Sequence, residues 1–294
     1  MSQMDQLIAR AMSLKVWTAP HSPEILSGGI TNVNIKLHDG DNAYVVRVGD
    51  DIDTHLIKRF NEQACHRAGE RAGISPRIVY ADEGILAMAF IAGTVLREES
   101  AATPEMVDRI AALLRHLHQE GTKYLRGPVL GFWVFHVLRD YAARLQAQPS
   151  PYHAALPELL AMAERLEDAV GPVSLALTHN DLLPANLIDS GDRLWLIDWD
   201  YGGLNTPLFD LASIASNCRF SPMLQQRLLE AYDGEKLTAA RQKRFQAMRA
   251  ASLLRETMWS MVSELTSEIP FDYAAYTAQN QTRFHEAYAD FLNS

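Results

Sequence analysis

One segment, residues 178–201, constrains the fold more than any other part of the chain. Short apolar runs at residues 175–177 and 194–197 predict strands at either end of it. Between and beside these strands the segment carries four polar side chains: His179, Asp181, Asn186 and Asp198. Polar groups in loops at strand ends can converge on a cleft. The fold must therefore hold a polar loop between apolar, buried strands.

The spacing of these four side chains points to one chemistry. His-x-Asp-x4-Asn, followed by an acid directly after an apolar strand, is the layout of the loop that catalyses phosphoryl transfer. In that chemistry Asp181 accepts the proton of the attacking hydroxyl, and His179 braces the loop. Asn186 takes part in catalysis by holding Mg²⁺ on the nucleotide phosphates together with Asp198. Taken singly, each residue could instead cap a turn or fill the core, but the joint pattern favours catalysis.

The N-terminal part of the chain has strand character with one helical interruption. Residues 25–37 are typical of two strands joined by a glycine-containing turn, and residues 44–48 form a β-branched run. Helical periodicity covers residues 54–72, and strand character returns at residues 78–80 and 85–91. These patterns predict five antiparallel strands and one helix in a small α+β lobe.

After Gly93 the pattern becomes helical. A helix is predicted from Thr103, its N-cap, to Gly121, and further helices over 132–147, over 155–170 and from about 221 to the end. We therefore predict an N-terminal lobe of residues 1–92 and a larger, mainly helical lobe of residues 93–294.

Composition excludes several classes of protein. The chain has 294 residues with 27 Lys and Arg against 36 Asp and Glu, and the net charge of −9 disfavours nucleic acid as a partner. The two cysteines, Cys65 and Cys218, lie far apart without metal-ligand spacing. No apolar run approaches the roughly 20 residues of a membrane span. These features predict a cytoplasmic protein with reduced thiols; they do not indicate an oligomeric state.

Three motifs carry a resemblance to a known family. His-Asn-Asp-Leu-Leu-Pro-Ala-Asn at 179–186, Ile-Asp-Trp-Asp-Tyr-Gly-Gly at 197–203 and Phe-Asp-Leu-Ala at 209–212 resemble the choline/ethanolamine kinase family. That family belongs to the wider aminoglycoside-phosphotransferase and protein-kinase-like superfamily. The resemblance implies a bilobal protein-kinase-like fold, ATP and Mg²⁺ as cofactors, and Asp181 as the catalytic base.

The same resemblance implies a nucleotide site in the N-terminal lobe. Its members are a phosphate-covering loop with Gly28, Gly29, Thr31 and Asn32, a strand arginine, Arg47, with its helix partner Glu62, and the adenine-binding hinge at Phe90 and Ile91. A glycine pair between strands is also typical of a plain hairpin, so this loop depends on the catalytic segment for its interpretation.

The acceptor is expected to be a small cation. Leu183 stands where protein kinases usually carry lysine, and neither an Ala-Pro-Glu segment nor an activation-loop-length gap follows Asp198, so a protein substrate is disfavoured. By resemblance Trp259 and Tyr276 form the walls of an aromatic cage, and Asp200, Tyr201 and Asp210 its floor. Glu256 stands where many relatives have tryptophan, which would suit a primary ammonium or another cation.

These observations favour an ATP- and Mg²⁺-dependent kinase that phosphorylates the hydroxyl of choline or ethanolamine. Thiamine or an aminoglycoside is the alternative acceptor. A nucleotide-binding regulator without turnover is a third hypothesis, although the chain retains the catalytic residues that such a protein would not need.

Overall fold

The computed structural model describes residues 2–26, 32–267 and 269–294. Within these ranges the chain forms an antiparallel sheet lobe followed by a mainly helical lobe, which confirms the predicted bilobal α+β architecture. The elements of the first lobe are α1 (Gln3–Met12), β1 (Pro20–Leu26), β2 (Val33–Asp39), β3 (Asn42–Val48), α2 (Arg59–Arg71), β4 (Ile78–Asp82) and β5 (Ile85–Ala89).

The second lobe contains nine helices and five short strands among the described residues. The helices are α3 (Glu98–Ala101), α4 (Pro104–His116), α5 (Thr122–Tyr124), α6 (Val134–Gln146), α7 (Leu156–Val170), α8 (Pro207–Asn217), α9 (Pro222–Asp233), α10 (Ala239–Thr266) and α11 (Tyr273–Leu292). The strands are β6 (Thr94–Val95), β7 (Ala176–Thr178), β8 (Leu187–Asp189), β9 (Leu194–Leu196) and β10 (Gly203–Asn205).

The sheet of the first lobe has the order β1-β2-β3-β5-β4, with every neighbouring pair antiparallel. Ile35 of β2 and Val46 and Val48 of β3 are buried in the lobe's core. Because side chains alternate along a strand, Arg47 lies on the opposite face of β3. The alternation of side chains along β3 thus directs Arg47 away from the core of the first lobe and toward Asp198 and Asp200 of the second lobe.

Helix α2 begins five residues later than the periodicity predicted. Residues 53–55 form a short 3₁₀ turn, and Leu56 then adopts a left-handed conformation with φ of 62°. Such a residue cannot continue an α-helix. The regular helix starts at Arg59, where the Asp51 carboxylate accepts the Arg59 N–H at 2.8 Å.

Helix α10, with 28 residues, runs through the second lobe and packs against α6, α7, α8 and α11. The helix predicted over 103–121 begins as expected, with Thr103 as N-cap and Pro104 at its first position. It ends in a π-helical turn at Leu117–Gly121, which places His118 in the lobe's interior. No helix of the described residues is long and apolar enough to cross a membrane.

Two small sheets hold the polar segment. Strand β7 pairs with β10, and β8 lies between β6 and β9. The chain between β7 and β8 contains a 3₁₀ turn at Pro184–Asn186. The polar loop predicted from the sequence is therefore fixed at both ends by strands.

Candidate active site

Asp210, in the first turn of α8, holds the polar loop of residues 179–186 in place. Its two carboxylate oxygens accept the backbone N–H groups of His179 and Asn180, each at 2.8 Å, and His118 Nε2 lies 3.0 Å from Oδ2. Asp210 is fully buried. The resemblance places Asp210 on the acceptor floor; in the structure both of its carboxylate oxygens bond to the backbone of the loop.

His179 ties the same loop to the end of β9. Its Nε2 donates to the Ile197 carbonyl at 2.9 Å, and its ring packs against Trp199 with centroids 4.9 Å apart. Burial lowers the pKa of His179, so the neutral imidazole is favoured. The buried ring braces the loop through these contacts.

Two residues of the segment have left-handed backbones. Asn180 has φ of 65° and Asp198 has φ of 66°. Conformations of this kind cost free energy in residues other than glycine and cluster at functional sites. Here they turn the chain at both edges of the cleft, one before Asp181 and one after β9.

Asp181 lies close to Arg255 of α10. The Arg255 Nη2 atom is 3.4 Å from Asp181 Oδ1. Burial and the nearby charges of Glu256, Asp198 and Asp200 together raise the pKa of Asp181 to about 7, against the opposing charge of Arg255. A carboxylate with a pKa near neutrality is suited to accept a proton at physiological pH.

Asn186 and Asp198 line one wall of a cavity of about 390 Å³ between the lobes. The Asn186 Nδ2 group donates to the Asp181 carbonyl at 2.8 Å, which orients the amide and leaves Oδ1 as its potential metal ligand. The Asp198 side chain is 35% exposed, and one of its oxygens accepts a hydrogen bond from Arg47. An amide and a carboxylate suit Mg²⁺, which takes its remaining ligands from phosphate and water. The donor set therefore fits this ion.

Arg47 is paired with Glu62 of α2, as the resemblance implied, through a 2.5 Å contact from Nη1 to Oε1. Its Nη2 group also donates to Asp200 at 2.7 Å. Asp200 accepts in addition from Arg59 Nη1 at 2.6 Å and from Asn32 Nδ2 at 2.9 Å. These contacts join β3, α2 and the segment after β9 in one buried cluster of charges.

Asp200, which the resemblance places on the acceptor floor, is bonded to Arg47 and Arg59 in this cluster. Its side chain is 4% exposed. Burial raises its pKa, but the two arginines outweigh burial and hold the pKa of Asp200 below its usual value. Sequence reasoning missed Arg59; its spacing of three residues from Glu62 on one helix was the available signal.

Most of the remaining lining of the cavity is apolar and includes the two hinge residues, Phe90 and Ile91, whereas Asn34, Arg47 and His66 add polar groups. The Phe90 N–H donates to the Ala43 carbonyl at 3.0 Å, so this group is already engaged within the sheet. A Cβ added to Gly93 would lie 2.6 Å from the Asp189 carbonyl oxygen, so the chain approaches β8 too closely for a side chain. Of the predicted phosphate loop, Asn32 is described, whereas Gly28, Gly29 and Thr31 lie outside the described residues.

On the other side of Asp181 lie the expected acceptor residues, joined by hydrogen bonds. Trp259 Nε1 donates to Tyr201 Oη at 3.0 Å, and Tyr276 Oη donates to Glu256 Oε1 at 2.8 Å. Arg255, which sequence reasoning missed, places Nη1 3.2 Å from Glu256 Oε2. No local pattern distinguishes Arg255 from other arginines of α10, and only the fold brings it to Asp181.

His55 was also missed, because it comes from the distant first lobe. Its Nε2 atom lies 3.1 Å from Ser263 Oγ, and its ring packs against Trp259 with centroids 5.1 Å apart. Burial lowers the pKa of His55 to about 4, so the ring is neutral near pH 7. His55 therefore supports the back of Trp259 without adding a charge.

The chain is similar to known phosphotransferases. The profile of a family described as "Phosphotransferase enzyme family" matches residues 23–244. Protein LicA of Haemophilus influenzae is 28% identical over 260 residues, covering 84% of this chain and 75% of the relative. A probable ethanolamine kinase of Arabidopsis thaliana is 24% identical over 288 residues, covering 87% and 76%. The crystal structure of a choline/ethanolamine kinase family protein from Mesorhizobium loti is similar with a TM-score of 0.78 and 27% identity, covering 97% of this chain and 95% of that one.

Proposed function

The chain belongs to the phosphotransferase enzyme family, and we propose that it transfers the γ-phosphoryl group of ATP to the hydroxyl of choline or ethanolamine. One observation carries the proposal. The Asp181 carboxylate, with a pKa near 7, lies between a cavity bordered by Asn186 and Asp198 and a group of aromatic and acidic side chains. That arrangement suits a base between a phosphate donor and a hydroxyl acceptor.

In the proposed reaction the acceptor's hydroxyl oxygen attacks the γ-phosphorus as its proton passes to Asp181. The bond from the γ-phosphorus to the bridging oxygen breaks, and that oxygen leaves with ADP. Mg²⁺, when held by Asn186 and Asp198, would neutralise phosphate charge. His179 and Asp210 act through the loop: they fix the backbone at residues 179–180, directly before Asp181, so that its carboxylate is preorganised.

For the nucleotide, we assign the apolar part of the cavity at Phe90 and Ile91 to the adenine ring and Arg47 to the phosphates. Since Phe90 N–H is engaged by Ala43, pairing with the adenine edge would fall to other backbone groups of the hinge. Gly28, Gly29 and Thr31 remain a prediction from the sequence, as covers of the phosphates. Nucleotide binding is thus proposed for residues 1–92, and catalysis and acceptor binding for residues 93–294.

For the acceptor, the charges near Asp181 favour a cation. Glu256 and Asp181 are two acids with one arginine, Arg255, between them, so one negative charge is left for a substrate ammonium to balance. The negative net charge of the chain acts in the same direction and against nucleic acid. An enzyme that consumes ATP and keeps two buried thiols is placed most simply in the cytoplasm.

The test is ADP release with Mg²⁺ and ATP in the presence of choline, ethanolamine, thiamine or kanamycin. We expect turnover with choline or ethanolamine, and its loss in Asp181→Asn. Asp168→Asn, an exposed position on α7, is the matched control and should retain wild-type activity. Turnover only with thiamine or kanamycin would move the function to that acceptor. ATP binding without turnover of any acceptor would refute the proposal in favour of a nucleotide-binding regulator.

A further inference from the structure

We propose that Arg255 and Glu256 make this acceptor site selective for an ammonium group that carries N–H bonds, and so for ethanolamine over choline. This inference rests on the proposed function and specifies its acceptor. It comes from the way in which α10 fills the space beside Asp181.

The first observation is that a cation of the protein already covers an aromatic ring of the site. The guanidinium carbon of Arg255 lies 5.2 Å from the centre of the Tyr201 ring. The Arg255 side chain is 5% exposed and is held in place by Asp181 and Glu256. A trimethylammonium group is recognised through such ring faces. To bind over the Tyr201 ring, the trimethylammonium group would have to displace the positively charged guanidinium of Arg255.

The second observation concerns the other ring expected in the cage. Trp259 is 7% exposed, and its Nε1–H group donates to Tyr201 Oη. Its ring packs against His55 and against Tyr276, whose ring centroid is 6.4 Å away. Little of its face is left for a ligand. The aromatic residues of this site therefore pack mainly against one another and leave little ring surface for a ligand.

The third observation is that Glu256 places a carboxylate at a position where an aromatic ring would favour a trimethylammonium group. Glu256 is 18% exposed, with Oε1 accepting from Tyr276 and Oε2 facing Arg255. A carboxylate oxygen can accept further hydrogen bonds in addition to these. A primary ammonium offers three N–H donors, whereas the trimethylammonium of choline offers none.

Charge alone does not discriminate between the two acceptors, since both carry one positive charge. The difference lies in hydrogen bonds to the Glu256 carboxylate, which are strong because this acceptor is charged and partly buried. It lies also in the volume that three methyl groups would need next to Arg255. Both effects favour the amine with the fewest methyl groups.

The experiment measures kcat/KM for ethanolamine, N-methylethanolamine, N,N-dimethylethanolamine and choline with saturating ATP and Mg²⁺. We expect a decrease along the series, with ethanolamine favoured over choline by at least about tenfold, the scale of one hydrogen bond to a charged group. Equal values, or a preference for choline, would overturn the inference and leave the proposed function standing. No turnover of any of the four would refute the proposed function itself.

L-Serine, which is ethanolamine with a carboxylate on the carbon next to nitrogen, is measured in parallel. If Arg255 were a seat for a substrate anion, serine would be preferred to ethanolamine. That outcome would also overturn the inference, because it would assign the guanidinium to substrate binding and not to the exclusion of methyl groups.

A variant tests the role of the carboxylate. Glu256→Gln keeps an oxygen for Tyr276 but removes the charge, so kcat/KM for ethanolamine should fall about tenfold and that for choline by less than about threefold. The matched control is Glu286→Gln on an exposed position of α11, which should leave both values unchanged. An equal decrease for both amines in Glu256→Gln would contradict selection by this carboxylate. Thermal unfolding and ADP binding of each variant check that the fold is retained.

Discussion

Asp210→Asn offers a stringent test of how the catalytic loop is held. The native carboxylate accepts two backbone N–H groups, those of His179 and Asn180, and it is fully buried. An asparagine has one oxygen, so one of these N–H groups would face an NH₂ donor and remain unpaired. Leaving a buried donor unpaired costs about 1–3 kcal/mol, and loss of charge from the other bond costs about 1 kcal/mol more.

We therefore expect Asp210→Asn to lower the free energy of unfolding by about 2–4 kcal/mol. Activity should fall further than stability suggests, because the loop positions Asp181. A displacement of about 1 Å at the base is enough to reduce kcat by roughly 100-fold. The KM for ATP should change little, since Asp210 lies away from the nucleotide cavity.

The assays are urea unfolding followed by tryptophan fluorescence, and ADP release at saturating substrates. Asp108→Asn is the matched control, because Asp108 also pairs with a cation, Arg227, but both side chains are nearly half exposed. Surface pairs of this kind contribute about 0–1 kcal/mol. If Asp210→Asn resembles Asp108→Asn in both unfolding free energy and kcat, the carboxylate does not hold the loop, and this reasoning is refuted.

Three further predictions address other parts of the site. Below pH ~7, kcat/KM should fall about tenfold per pH unit, because the Asp181 carboxyl, with its pKa raised to about 7, cannot accept a proton once protonated; a flat profile would remove Asp181 as the base. Gly93→Ala should weaken ATP binding in a titration, since its Cβ would meet the Asp189 carbonyl at 2.6 Å, whereas Gly131→Ala has ordinary clearance of 3.7 Å and should not. Arg47→Met should lower unfolding free energy by about 3–5 kcal/mol, because buried acids lose their partner, and a urea midpoint equal to wild type would contradict that.

Local patterns were enough to predict much of the fold. The residue types at 25–37 and 44–48 predicted strands, which the structure places at β2 and β3, and Thr103 predicted the start of α4. These signals work because strand and helix periodicity are properties of neighbouring residues. The catalytic loop could be found for a related reason: its chemistry requires fixed residue types at fixed spacing in one short segment.

The side chains around that loop could not be placed from local patterns. Asp198 and Asp200 flank Trp199, which is fully buried, yet Asp198 borders the cavity and Asp200 joins Arg59. Which way such a residue points depends on elements more than a hundred positions away in the chain. Arg255, from α10, is a case of the same kind: no spacing rule connects it with Asp181, and only the packing of helices does.

The phosphate-donor site and the acceptor site lie on either side of Asp181, and the charges of the two sites can be compared. On the nucleotide side, two cations face three acids among the described residues: Arg47 and Arg59 with Glu62, Asp198 and Asp200. On the acceptor side, one cation faces two acids: Arg255 with Asp181 and Glu256. Each half thus has one negative charge in excess when its acids are ionised. A divalent cation would offset the first and a substrate ammonium the second, and burial of the charges strengthens both attractions.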